Sequence, residues 1–501
     1  MPTCVSSQVG QPPPHSGVIL KHDYSSLFID GQWAIPHSAE VNTVVSAVTE
    51  EVIGRTPIAD AKDANAAVDA ARRAFDGSGW SDLSAAERAD VLERFAQELE
   101  KHAKTLAEVV TAENGMPITL SMPLNGFVGP ATLRYYAGLA RELPLEEVRP
   151  SMSGGGTLVR REPVGVVAAI VPWNYPQSLA MIKIAPALAA GCTVVLKPAL
   201  ETALDANILA EAASAAGLPP GVLNVLPGGV EASQALVAHP GVDKVAFTGS
   251  TPTGRAVGEV CGRLLRPVTL ELGGKSAAMI LDDADLSQTV GGLARVSFPN
   301  NGQTCFANTR ILAPAHRYEE VLDAVTDMAR ALPVGDPFDP KTAIGPVVSS
   351  RQRDRIEGYI AEGRGAGARL TTGGGRPAHM KKGWFVEPTV FGDVSNDMVI
   401  AREEIFGPVV GVIPYRDEDE AIALANDSEY GLGGSVWTAD VERGTELARR
   451  IHTGTVGVNG YQVDIGAPFG GVKASGLGRE FGPEGLMAYF ELKSVYLPTA
   501  A

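Results

Sequence analysis

The sequence predicts an α/β protein built on a parallel, doubly wound sheet. Three observations carry this. From residue 164 onward, short apolar runs of strand length alternate with helical patterns. That alternation is what a parallel sheet with crossover helices requires. Runs such as "VGVVAAIVP" are apolar throughout, as buried strands are. The chain has 501 residues, 45% of them hydrophobic and 20% charged. This is a globular composition too long for one ordinary core, so two or three domains are expected.

The elements follow in order. "MPTCVSSQVGQPPPHSG" has no basic n-region and no apolar h-region, so it does not read as a secretory signal. Its Pro and Ser content predicts a mobile tail over residues 1–24. Residues 60–114 read as helical. "DAKDANAAVDAARRAF" is one pattern; "SAAERADVLERFAQELEKHAKTLAEVVTAENG" is a second, ending at Asn114-Gly115. "LPLEEVRPSMSGGGTLVRREP" reads as a hairpin. Then come strand "VGVVAAIVP", helix "QSLAMIKIAPALAAG", strand "CTVVLKP", helix "TALDANILAEAASAAG" and strand "VLNVLPG". Helix "ASQALVAH", strand "KVAFTGS", helix "PTGRAVGEVC" and strand "PVTLELGG" complete the block. A second alternating block over 276–475 offers "SAAMILDD", "TRILAPA", "FVEPTVF" and "PVVGVIPY" as strands. The tail "GLMAYFELKSVYLP" ends in a strand-like run, an exposed edge suited to a subunit contact.

The net charge of −16 disfavours nucleic acid and lipid surfaces, both polyanions. It leaves room for an anionic cofactor in a local pocket. The apolar runs are too short to span a bilayer. No nucleic-acid partner, no membrane partner and a cytoplasmic location are therefore expected. Cys4, Cys192, Cys261 and Cys305 are widely spaced, with no CxxC pair and no His cluster nearby. Neither a disulfide framework nor a metal site is expected. A lone Cys is ordinarily a small buried hydrophobe, and Cys192 and Cys261 read that way. Cys305 stands in "FPNNGQTCFAN", neither a clean helix nor a clean strand.

Four stretches could carry chemistry. "FTGSTPTG" places Gly249 and Gly254 at a strand-to-helix turn, where backbone N–H groups approach a phosphate. Its GxxxxG spacing is not GxGxxG, and such glycines are often only geometric. "GGVEAS" near 228 reads as structural. Lys197 ends a strand at the edge where α/β sheets bind ligands, and suits ribose hydroxyls or plain solvation equally. Glu271, in "LELGGKS", is a carboxylate before two glycines and a candidate general base if its pKa is raised. Asn174, in "IVPWNYP", sits between prolines, and its amide suits an oxyanion. Singly, Glu271 reads as well as a capping carboxylate and Asn174 as a turn residue.

Taken in order, "PWN", "KP", "FTGSTPTG", "ELGGKS", "NNGQTC", "EEIFGP" and "PFGGVKASGLGRE" span almost the whole chain. Over residues 25–498 the sequence resembles the aldehyde dehydrogenase superfamily. The resemblance implies that Cys305 attacks the aldehyde, that Asn174 and the Cys305 N–H hold the oxyanion, and that Glu271 activates water against the thioester. Lys183 and Glu480 match a proposed proton relay. Trp173, Lys197, Gly249, Ser250, Gly254, Leu272, Glu404 and Phe406 match cofactor contacts. Tyr175, Ile182, Phe298, Phe306, Ile465 and Phe469 match substrate positions.

The implied architecture is a Rossmann-like coenzyme domain over 25–140 and 160–274 and an α/β catalytic domain over 275–478. A small β bridging element over 141–159 and 479–501 would join subunits into a homodimer or homotetramer.

Three departures matter. Leu200 of "KPALE" stands where relatives carry a ribose-binding Glu, so NAD is expected with NADP left open. No Arg or Lys stands nearby to pair a 2′-phosphate, and Glu201 could take the role of the missing Glu. Phe306 replaces a small or aliphatic residue after the nucleophile. "GYQVDIGAPFGG" lacks the Trp of a cation cage, and Ile182 replaces another Trp. The substrate expected is an apolar aliphatic, aromatic or terpenoid aldehyde, with Asp464 the one polar exception along the tunnel. Two other classes stay in view. A coenzyme A-acylating relative would lack Glu271, and a non-catalytic scaffold protein would lack Cys305.

Overall fold

A computed structural model describes residues 22–77, 79–152 and 154–498. The tail expected over 1–24 lies outside these up to residue 21, but His22–Asp23 is a strand paired with Val52–Pro57.

The alternation seen in the sequence becomes an eight-stranded sheet. Its centre is parallel, in the spatial order Val268–Glu271, Lys244–Thr248, Val166–Ile170, Thr193–Lys197, Leu223–Val225. Val166–Ile170 comes first in the chain yet lies between the second and fourth strands, so the strand order reverses there. Such a reversal opens a crevice at the carboxyl ends of the strands. The strands "VVAAI", "TVVLK" and "KVAFT" are buried at every position. Helices cover both faces, which is why these strands are apolar throughout. An antiparallel hairpin, Leu27–Ile29 with Gln32–Ala34, extends one edge, and Gly476–Leu477 closes the other.

The second block forms a seven-stranded sheet ordered Arg369–Thr372, Thr389–Gly392, Val409–Tyr415, Asn308–Pro314, Ser276–Ile280, Gly434–Trp437, Gly457–Val458. The chain passes directly from Glu271, at the carboxyl end of a strand in the first sheet, to Ser276, at the amino end of a strand in the second. This short passage sets the carboxyl edge of one sheet against the amino edge of the other.

A three-stranded sheet joins Glu146–Pro150, Gly156–Pro163 and the tail strand Phe490–Leu497, which pairs along all of its residues. The hairpin begins later than 141–159 because the helix Val128–Glu142 occupies the start of that range, and it ends later because Gly156–Pro163 stays paired with the tail strand to Pro163. Val148, Leu492 and Tyr496 on this element are exposed.

Helical boundaries follow local chemistry. Ser84 caps Ala85–Lys101 with a capping box to Glu87, a device whose loss costs about 1 kcal/mol. The single helix expected to Asn114 is broken at His102, and Ala103–Asn114 forms a second one. Strands Val41–Val45 and Val52–Pro57 were not singled out from the sequence, since Asn42, Thr43, Gly54 and Arg55 break their apolar residues into short pieces. Among the described residues no helix is long and apolar enough to cross a membrane.

Two acids are buried between the helices. Glu113 Oε1 accepts the Leu204 N–H at 2.9 Å, and Asp205 Oδ2 accepts from Gln177 Nε2 at 2.5 Å. Burial pushes Asp205 up to about 7, and burial plus the Asp205 charge pushes Glu113 well above the carboxylate range. A raised folded pKa means the native state holds a proton that the unfolded chain has released. The stability tied to it is complete below about pH 4 and is lost as pH rises toward about 7. Asp205→Asn keeps an acceptor for Gln177 without an ionisable proton. Its Tm is expected to fall less than the wild type's between pH 5 and 8, as thermal scans at both pH values would measure.

Candidate active site

The loop carrying Cys305 follows the helix Leu286–Ser297. It turns through three left-handed residues, Asn300 (φ 50°), Asn301 (φ 61°) and Gly302 (φ 77°). Left-handed non-glycine residues cost about 1–2 kcal/mol each, so the surroundings must hold them. Asn301 Nδ2 donates to Pro346 O (2.7 Å) and Gly115 O (2.9 Å), and its Oδ1 accepts the Gly345 N–H (2.7 Å). Asn300 Nδ2 donates to Asn174 O at 2.9 Å. Gln303 Oε1 accepts the Val348 N–H at 2.9 Å. A Cβ on Gly302 would lie 2.1 Å from the Gly407 carbonyl, so no side chain fits there. The polar run "NNGQT" is therefore buried clamping, and it fixes where Cys305 points.

Three candidate residues converge on this loop. Asn174 Nδ2 donates to Gln303 O at 3.0 Å, which leaves its second N–H available. Among the described residues no backbone carbonyl accepts the Cys305 N–H. The two together are suitable donors for an oxyanion on the sulfur-bound carbon. Burial pushes the Cys305 thiol up, and the Glu404 and Glu271 charges add to it; the N–H groups of Phe306 and Cys305 offset a little. The resting sulfur is thus a thiol, and attack requires that its proton be removed.

Glu271 is buried, and neither of its oxygens forms a hydrogen bond within the protein. Burial first, then the Glu480 charge, holds it well above the carboxylate range; the Lys183 and Arg479 charges offset only part. Gly470 makes this possible, since a Cβ there would come within 2.5 Å of Glu271 Oε1. Lys183, fully buried on the helix Pro176–Ala190, donates to Glu480 and, at 2.7 Å, to Thr248 Oγ1. Glu480 Oε2 has no partner. The expected pair is thus in contact, and its charge reaches Glu271.

Of the residues expected to bind cofactor, Lys197 ends a strand of the first sheet, and Trp173, Gly249 and Leu272 follow closely after the carboxyl ends of three others. Trp173 and Phe406 meet edge to face, with ring centroids 5.3 Å apart. Glu404 Oε1 accepts the Gly274 N–H at 3.0 Å, and surrounding protein pushes the acid up to about 7. Lys197 Nζ donates to Pro198 O (2.8 Å) and Gly228 O (3.0 Å), keeping one proton for another acceptor; burial lowers it to about 8. Ser250 caps the helix Thr251–Arg263. Gly249 and Gly254 have internal reasons: a Cβ would strike Phe247 at 2.5 Å and Leu272 at 2.3 Å.

Around Cys305 lies an apolar cluster of Ile182, Leu432, Phe469 and Phe481, flanked by Leu179, Phe306, Val463 and Ile465. Phe306 stacks on Tyr461 at 4.9 Å and 26°, and meets Phe469 edge-on at 6.2 Å. Tyr175 hydroxyl shares a 2.7 Å hydrogen bond with Thr304. Asp464 is exposed and accepts from Gly466 N–H. Phe298 does not join this cluster; it is buried in the core of the second sheet with Leu293 and Val296. Tyr461, Thr248 and the three clamping amides were not singled out from sequence. A polar run flanking a lone Cys was the available signal for the amides.

Three comparisons bear on this geometry. The model of the aldehyde dehydrogenase family matches residues 33–495. A geranial dehydrogenase from Castellaniella defragrans is 54% identical over 95% of this chain and 99% of its own. An aldehyde dehydrogenase of Mycobacterium tuberculosis, solved with NAD+, is 50% identical, with a TM-score of 0.94, covering 96% of this chain and 99% of that one. A mutant aldehyde dehydrogenase C from Pseudomonas syringae, solved with NAD+ and octanal, is 39% identical, with a TM-score of 0.91, covering 94% and 96%.

Proposed function

This chain belongs to the aldehyde dehydrogenase family, and on that premise we propose that it oxidises an apolar aldehyde to its carboxylic acid with NAD+ through a thioester on Cys305. The observation that carries the substrate class is the apolar, aromatic cluster packed around Cys305. The geranial- and octanal-linked relatives support it.

The chemistry falls to named side chains. The partly exposed Cys305 thiol gives its proton to water, the sulfur attacks the carbonyl carbon, a C–S bond forms, and the carbonyl electrons move onto oxygen. The second Asn174 N–H and the Cys305 N–H receive that charge. What NAD+ supplies when bound is the hydride acceptor that takes the thiohemiacetal to a thioester. Trp173, Lys197, Gly249, Ser250, Gly254, Leu272, Glu404 and Phe406 would hold it. The donor set fits, with free N–H groups at a capped helix start, a spare Lys197 proton and apolar faces at Trp173, Leu272 and Phe406. Glu271 then takes a proton from water as the oxygen adds to the thioester. The C–S bond breaks, Cys305 leaves as thiolate, and the acid departs. The Glu480–Lys183 pair lies ready to pass the proton on. Glu271, which a coenzyme A-acylating relative would lack, favours hydrolysis. Subunit association through the tail strand and hairpin, as a homodimer or homotetramer in the cytoplasm, completes the reading.

An aldehyde panel tests the substrate class. Burial of each methylene is worth about 0.8 kcal/mol, about a fourfold gain. kcat/KM is expected to rise by up to that factor per carbon from propanal to octanal, and geranial to exceed betaine aldehyde by at least about 100-fold. A preference for betaine aldehyde or aminoaldehydes would contradict the assignment.

A further inference from the structure

The loop after the second strand of a doubly wound half reads the coenzyme's adenosine ribose. An acid there takes the 2′-hydroxyl, and an arginine there pairs a 2′-phosphate. The first strand here is Val166–Ile170 and the second Thr193–Lys197, so residues 198–203 are that loop. Its backbone is fixed. Asn42 Nδ2 donates to Leu200 O at 2.8 Å, and the turn Leu200–Thr202 runs into the Leu204 N–H held by Glu113. Leu200 can neither bond a hydroxyl nor repel a phosphate. Glu201, beside it, is a third exposed, and its Oε1 lies 3.7 Å from Arg351 Nη2. Arg351 stands at the start of the helix Ser350–Gly365 with its side chain 89% exposed. A cation therefore does stand at this loop, brought from a part of the chain that the local sequence does not reveal. An exposed pair at that separation is weak and exchanges partners readily.

We propose that Glu201 and Arg351 read the ribose 2′ position in both directions, so that the enzyme accepts NADP as well as NAD. With NAD, Glu201 accepts from the 2′-hydroxyl. With NADP, Arg351 turns from Glu201 to the 2′-phosphate and offsets the acid's repulsion. This rests on the reading of the chain as a coenzyme-dependent aldehyde dehydrogenase.

The test is a pair of dissociation constants, for NAD+ and NADP+, from tryptophan fluorescence quenching. Wild type, Arg351→Ala, Arg351→Lys and Glu201→Gln are compared, with octanal turnover alongside. Wild type is expected to bind NADP+ within tenfold of NAD+. Arg351→Ala should raise the NADP+/NAD+ ratio at least tenfold, Arg351→Lys should restore most of it, and Glu201→Gln should lower it. An unmoved ratio in Arg351→Ala, or no NADP+ binding to wild type, overturns the proposal. Octanal oxidation with NAD+ alongside an unmoved ratio would sink the 2′ reader and leave the proposed function standing. Binding that follows the expected ratios without any aldehyde turnover would do the reverse.

Discussion

Cys305→Ala is expected to abolish aldehyde oxidation, by at least about 10⁵-fold, the scale on which an enzyme feels the loss of its covalent nucleophile. No other described cysteine can replace it. Cys192 and Cys261 are fully buried, and burial pushes Cys192 up to about 12. Cys305 is partly exposed and packs at the edge of the cluster it joins. Truncation to Ala removes one atom from a loop held by Asn301 and Gln303, so the fold and coenzyme quenching should persist while NADH formation stops. Iodoacetamide should label the wild type at Cys305 faster as pH rises, because burial and two nearby acids hold the thiol protonated. The Ala variant should lose that label.

Glu271→Gln is expected to separate the two halves of the reaction. One NADH per active site should still appear, since on this reading the Cys305 proton leaves to water and only deacylation needs the Glu271 carboxylate. Steady-state turnover should then fall by about 10²–10⁴-fold, the usual worth of a general base. The pH profile carries the same assignment. Only ionised Glu271 can take a proton from water, and burial beside Glu480 raises its pKa. Wild-type turnover should therefore climb with pH through that raised value, and the Gln variant should lose the limb. A variant that kept the full steady rate would remove Glu271 from deacylation.

Much of this was legible in the sequence. The runs "VVAAI", "TVVLK" and "KVAFT" are fully buried, so burial wrote itself as continuous apolar composition. Cys305, Glu271 and Asn174 were legible through the order of the motifs around them. What stayed hidden depends on contacts between distant segments. The clamps of Asn300, Asn301 and Gln303 act on carbonyls and amides of other loops. Arg351 reaches Glu201 only in the folded chain. Phe298 neighbours the nucleophile loop in sequence yet faces the opposite way, into the core, because Pro299 and three left-handed residues reverse the chain after it. The GxxxxG glycines answer to packing on Phe247 and Leu272, which no spacing rule conveys. Val41–Val45 gives no clean strand signal because Asn42 and Thr43 interrupt its valines and only Val44 is buried.

The most direct test of the covalent, hydrolytic account is mass spectrometry of the Glu271→Gln enzyme quenched in acid after mixing with octanal and NAD+. The account predicts one added octanoyl group per chain, located on the peptide that carries Cys305. Unmodified Cys305 under those conditions, or an acyl group on a different residue, would contradict it.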